Sequence, residues 1–143
     1  MSHLSYPDEL IGRVLAQTKT IAMVGASGRP DRPSNSVMRY MQMQGYRVIP
    51  VNPTETGGTI NGEPVLASLT DIQEPVDMVD CFRRSEAIPA LIDDVIKIGA
   101  KVLWMQLGVR HDEAAARAEA AGIDVVMDRC PVIEIRRLGL GRR

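Results

Sequence analysis

Apolar positions in this chain follow two rhythms that alternate from end to end. Leu10, Ile11, Val14 and Leu15 recur at helical spacing and predict a helix over residues 8–17, with Pro7 and Asp8 at its first turn. Residues 20–24 form a short apolar run, the mark of a buried strand, which stops at Gly25. Val37, Met38 and Met41 then make one helical stripe; Ser34 is its expected N-cap, Pro33 blocks an earlier start and Gly45 ends it. A second buried strand is expected over 46–51, halting at Asn52-Pro53. Residues 54–63, rich in Gly, Thr and Asn, read as a loop, followed by a short edge strand at 65–67 and a helical turn at 69–72. Three further strands are expected at 76–82, 101–105 and 123–127. Helices are expected at 86–98, 112–121 and 131–137, the first with Ile88, Leu91, Ile92, Val95 and Ile96 turned inward.

Strands alternating with helices in this way predict an α/β fold, a doubly wound, Rossmann-like three-layer sandwich with a mostly parallel sheet. Residues 1–143 read as a single domain with its core at about 11–130. The expected strand order runs from the 65–67 edge through 46–51 to 20–24, then through 76–82 and 101–105 to 123–127. It reverses between 20–24 and 76–82, and ligands of such sheets sit outside the carboxyl ends of the strands at that reversal. Gly25-Ala26-Ser27 and Phe82-Arg83-Arg84 are therefore expected to face each other across a site.

The turn after the first strand has a phosphate-binding layout: a strand, small residues, then a helix whose N-terminus faces the turn. It does not fit the NAD fingerprint. Gly25 and Gly28 have the wrong spacing for G-x-G-x-x-G, no third glycine follows, and Asn52-Pro53 stands where an acid would hold the ribose. The Walker pattern G-x-x-x-x-G-K-[ST] is absent as well. Arg29, Arg32, Arg83 and Arg84 place several cations near the expected crevice, and their planar forks suit phosphate oxygens. Residues alone thus point to a phosphate-bearing nucleotide.

Composition acts by exclusion. A net charge of −1 and only 3% aromatic residues argue against a nucleic-acid partner or an anionic membrane surface. No apolar stretch approaches the ~20 residues of a membrane span. Residues 1–8 are polar with no apolar segment after them, which predicts a chain without a signal peptide and a cytoplasmic location. Two cysteines, Cys81 and Cys130, make neither a disulfide framework nor a zinc pattern, so no metal is expected. Arg136, Arg137, Arg142 and Arg143 form a small basic cluster that reads as a solvated tail.

Five motifs in order carry a resemblance: Val24-Gly25-Ala26-Ser27; Gly45-Tyr46-Arg47-Val48-Ile49-Pro50-Val51-Asn52-Pro53; Val79-Asp80-Cys81-Phe82-Arg83; Trp104-Met105-Gln106-Leu107-Gly108-Val109; and Asp128-Arg129-Cys130-Pro131. From about residue 11 to 130 the chain resembles the small single-domain CoA-binding proteins, which are similar in fold to the N-terminal CoA-binding domain of succinyl-CoA synthetase alpha subunits. The resemblance implies coenzyme A, or an acyl-CoA, as ligand. It implies that Gly25, Ala26 and Ser27 contact the phosphates and that Asn52 and Pro53 border the adenosine or diphosphate end. Phe82 and Arg83 would line the opposite wall, with Gln106 and Gly108 near the pantetheine path. Arg29 and Ser34 complete the candidate binding set at the turn and the helix start.

The remaining chemistry-bearing residues read more plainly. Asp77 is expected to cap a strand entry, and Asp80 to be hydrogen-bonded inside or to lie at the crevice. Cys81 is a small core hydrophobe, His111 a surface or capping residue and His3 part of a frayed, inert terminus. Cys130, ahead of Pro131 at a helix start, is a candidate redox thiol toward the thiol of bound CoA, although a packed or capping cysteine is the simpler reading. No catalytic residue is assigned, and the synthetase's further domains and phosphorylated histidine have no counterpart here. The expected function is CoA binding without catalysis. Two alternatives stay open: an NAD(P)-dependent oxidoreductase-like domain, and a CoA-responsive regulatory or interaction subunit whose protein partner the sequence does not name.

Overall fold

The computed structural model describes residues 3–140; Arg142 and Arg143 of the basic cluster lie outside the described residues. Helix α1 (Asp8–Gln17) leads into β1 (Thr20–Val24), α2 (Pro33–Met43) and β2 (Arg47–Val51). A hairpin of β3 (Thr59–Ile60) and β4 (Glu63–Pro64) precedes β5 (Met78–Cys81) and α3 (Ile92–Lys97). The chain continues with β6 (Val102–Met105), α4 (Asp112–Ala120), β7 (Asp124–Val126) and α5 (Pro131–Arg137). Five parallel strands form one sheet in the order β2-β1-β5-β6-β7, the doubly wound arrangement expected of the alternating pattern. The order reverses between β1 and β5, where Val24 lies opposite both Val51 and Cys81.

Alternating side chains divide the strands between two cores. On one face Val79, Cys81, Leu103, Met105 and Val125 pack with Ile92 and Val95 of α3 and the small Ala114, Ala115 and Ala118 of α4. On the other Ile21, Met23, Met78, Trp104 and Val126 meet Ile11, Val14 and Leu15 of α1, Val37, Met38 and Met41 of α2, and Ile135 of α5. Trp104 is wholly buried there and donates its indole N–H to the carbonyl of Arg129 at 2.8 Å.

Several expectations change in the folded chain. The helix expected over 86–98 is broken into two 3-10 turns, Ser85–Ala87 and Pro89–Leu91, before α3 begins. Pro89 has no N–H for the Ser85 carbonyl, which accepts from Ile88 instead at 3.1 Å. The 54–63 loop ends in the β3–β4 hairpin, turned by Asn61 (φ 47°) and Gly62 (φ 84°), the pair that a tight hairpin turn requires. The edge strand at 65–67 shrinks to a single parallel bridge between Val51 and Leu66. The cap of helix α2 lies two residues earlier than expected because Pro33, with its fixed φ and missing N–H, suits the first helical position. Ser34 is therefore inside the helix and Arg32 precedes it.

Four polar residues also depart from expectation. His3 is tied down, with Nδ1 at 2.8 Å from the Tyr6 hydroxyl and Nε2 at 3.1 Å from Glu119. Asp80 is fully buried, yet its Oδ1 has no hydrogen-bond partner among the described residues, and desolvation pushes its carboxyl up to about 8. Arg136 lies over the Tyr40 ring at 5.0 Å and Arg137 pairs with Asp8 at 2.9 Å, so the inner half of the expected solvated tail has partners while it stays exposed.

Candidate functional site

The carboxyl rim of the sheet opens into a cleft of about 680 Å³ at the β1/β5 reversal. Gly25 and Ser27 of the β1–α2 turn form one wall, and Phe82, Arg83 and Arg84 after β5 form the other. Gly25 is the hinge of this geometry. Its φ is 82°, and a Cβ there would come within 2.4 Å of the Phe82 carbonyl oxygen. Only glycine fits where the two walls approach so closely.

The turn is held by its own polar groups. Ser34 Oγ accepts from the Ser27 N–H at 3.1 Å, and Ser27 Oγ accepts from the Arg29 N–H at 3.1 Å. The Gly28 N–H donates to Glu55 Oε1 at 3.0 Å. Asn35 Nδ2 binds the Ser27 carbonyl at 2.9 Å and presents Oδ1 to Arg39. Asn52 ties the end of β2 to the turn, donating from Nδ2 to the Ala26 carbonyl at 2.8 Å, while its Oδ1 accepts from the N–H and hydroxyl of Thr54.

Charge and greasy surface are separated along the cleft. Arg29 pairs with Asp31 at 3.1 Å in the open, and Arg84 reaches Glu86 only at 3.9 Å. The side chains of Arg32 and Arg83 make no hydrogen bond or ion pair among the described residues. Toward β6 the lining becomes Phe82, Leu107 and Val109, with Leu107 53% exposed. Gln106 sits beside them, 7% exposed, its Oε1 buried and without a partner among the described residues. Such a cleft can take a phosphate cluster at one end and an apolar, amide-bearing arm at the other.

Of the candidate residues, Gly25, Ser27, Arg29, Ser34, Asn52, Phe82, Arg83 and Gln106 come together in this lining. Ala26 is buried behind it, touching the site through its carbonyl. Pro53 is exposed outside the lining, and the Gly108 N–H is directed to Asp128 Oδ1 at 2.7 Å. Cys130 is not brought to the cleft. It precedes α5 and opens on a separate hollow with Tyr40, Met43 and Ile133, because α5 packs on the α1/α2 face. His111 caps α4, its Nδ1 accepting from the Ala114 N–H at 3.1 Å. Sequence reasoning missed Glu55, Leu107 and Val109. The apolar pair flanking Gly108 was a usable signal, whereas Glu55 reaches the turn only through the fold of residues 52–58.

Comparison with known proteins places this cleft in context. The family described as the CoA binding domain matches residues 19–136, and the chain belongs to that family. The Bacillus subtilis (strain 168) uncharacterized protein YneT is 41% identical over 120 residues, 84% of this chain and 87% of the relative. A solved structure from Thermus thermophilus, cell-free ID.343, is 43% identical with a TM-score of 0.89, covering 93% of this chain and 99% of that one. The dinucleotide-forming acetyl-coenzyme A synthetase 1 of Ca. Korarchaeum cryptofilum matches 75% of this chain with 25% identity and a TM-score of 0.63, over 25% of its own length. No helix among the described residues is long and apolar enough to cross a membrane.

Proposed function

We propose that this chain binds coenzyme A or a short acyl-CoA in the cleft and carries out no reaction of its own. The phosphates lie among Arg29, Arg32, Arg83 and Arg84, and the pantetheine arm runs along Phe82, Leu107 and Val109 past Gln106. One observation carries the reading: two arginine side chains without carboxylate partners among the described residues stand beside an apolar strip, its Leu107 exposed, in one groove. Unpaired cations suit phosphate, and the strip suits an arm with few charges. Family membership supports the same ligand class. The cleft lining among the described residues includes no histidine or cysteine, and the Ser27 and Ser34 hydroxyl oxygens accept N–H groups of the turn.

Native mass spectrometry of freshly purified protein tests this directly. A co-purified species of CoA mass supports the reading, and a nicotinamide dinucleotide in its place overturns it. Arg83→Ala is expected to weaken CoA about tenfold while affecting dephospho-CoA much less, as for a guanidinium on the 3′-phosphate. Equal losses for the two ligands would move that contact to another arginine.

A further inference from the structure

We infer that Glu55 is an internal counter-anion that occupies a phosphate position of the cleft, so that a ligand must engage enough of the arginines to repay its displacement. The inference rests on the proposed reading only in placing phosphate at the β1–α2 turn. Three consecutive amides, those of Ser27, Gly28 and Arg29, are all engaged. Two of them are bonded to hydroxyls of the turn and helix α2 themselves, Ser34 Oγ and Ser27 Oγ. The Gly28 amide alone is bonded to a charged group from another loop, Glu55 Oε1 at 3.0 Å. A carboxylate at a backbone N–H after a parallel strand sits where an anionic ligand would sit.

Gly28 gives this contact room. It has no left-handed φ to require glycine; a Cβ there would meet Glu55 Oε1 at 3.1 Å and Ile60 Cγ1 at 3.7 Å. The missing side chain therefore serves the approach of Glu55. Glu55 lines the cleft with the four arginines and forms no ion pair among the described residues, so its charge offsets theirs without being fixed to any one of them. Its loop is anchored independently, through Asn52 Nδ2 on the Ala26 carbonyl and the Gly58 N–H on the Glu55 carbonyl at 3.3 Å. The carboxylate can thus rotate away while the loop stays in place.

The exchange sets a threshold that every phosphate ligand must exceed before it binds. A lone phosphate that displaces Glu55 replaces one charge-assisted hydrogen bond by another and gains little. A ligand with a diphosphate and a further phosphate makes the same exchange once while engaging several arginines together. Glu55 is then the residue that keeps small inorganic anions out.

Calorimetric titration of the full chain and of Glu55→Ala at fixed ionic strength, with inorganic pyrophosphate as the probe, decides the matter. Glu55→Ala is expected to bind pyrophosphate about tenfold more tightly than the parent. An unchanged or weaker affinity overturns the inference. Thermal melting confirms that the variant is folded; if it is not, Glu55→Gln replaces it, with the same direction and a smaller factor expected. Coenzyme A titrated in parallel separates the two readings. Tighter pyrophosphate with no CoA binding by either protein removes the CoA reading and leaves Glu55 in its role, whereas CoA binding with unaltered pyrophosphate affinity does the reverse.

Discussion

The two rims of the sheet treat charge in opposite ways, and strand β5 runs from one to the other. At the amino rim, Asp77 Oδ2 accepts from the N–H groups of Lys19 at 2.9 Å and Thr20 at 3.0 Å, and its Oδ1 faces Lys101 Nζ at 3.8 Å. Beside it Arg13 pairs with Asp124 at 3.3 Å, and these groups line a hollow of about 370 Å³. Charge there is matched from within the chain. Toward the carboxyl rim, among the described residues, Arg32 and Arg83 have no carboxylate partner, Gln106 Oε1 has no donor, and Asp80 Oδ1 lies unpaired three residues along from Asp77. A rim that satisfies its own polar groups builds the fold; one that leaves them open is shaped for something added.

The largest expected effect breaks this comparison within β5 itself. Asp80 has its carboxyl raised to about 8 by desolvation, far above the ordinary carboxylate value. A raised acid contributes stability that is complete below its unfolded value and is lost as pH rises through the folded one. The parent should therefore lose roughly 3–5 kcal/mol from this group between pH 4 and 8, and Asp80→Asn should flatten that slope in urea unfolding. Asp77 has the opposite sign. Burial raises it, but the Thr20 and Lys19 N–H groups together with Lys101 hold it below the usual range. Its stability is present above the ordinary carboxylate value and lost on acidification, so Asp77→Asn should cost about 1–2 kcal/mol at neutral pH. Identical pH profiles for the two variants would erase the distinction between the rims.

Next in size is Gly25→Ala. The substitution combines a left-handed backbone with overlap on the Phe82 carbonyl oxygen at 2.4 Å, and should cost about 2–4 kcal/mol. Its signature is loss of ligand affinity together with a lower melting temperature, because the cleft walls must separate.

What could be read beforehand follows the same division. The element order and the facing of Gly25 and Phe82 were legible, because buried parallel strands appear as uninterrupted apolar runs and the reversal follows from their order. The broken helix around Pro89 and the Asn61-Gly62 hairpin carried local signals that longer-range patterns overrode. Glu55 on Gly28 and the orphaned oxygens of Asp80 and Gln106 had none. Those features depend on which groups a fold leaves without partners, and that is fixed by three-dimensional packing after the pattern of apolar residues has done its part.

The smallest effect sharpens the comparison most. Arg13 and Arg83 are arginines at opposite rims of one sheet, and a binding screen with an anionic ligand would not tell their charges apart. Arg13 is bonded to Asp124, but both side chains are nearly half exposed, at 47% and 43%, so water and salt screen the pair. Arg13→Ala should change unfolding stability by less than about 0.5 kcal/mol and leave CoA affinity unaltered. Arg83→Ala, whose side chain has no partner to lose among the described residues, should leave stability just as unaltered while weakening CoA. The double variant should show the sum of the two, since the sites lie at opposite ends of the strands with no shared partner. If Arg13→Ala weakened CoA as much as Arg83→Ala does, the ligand would be responding to net charge, and the carboxyl rim would hold no privileged site.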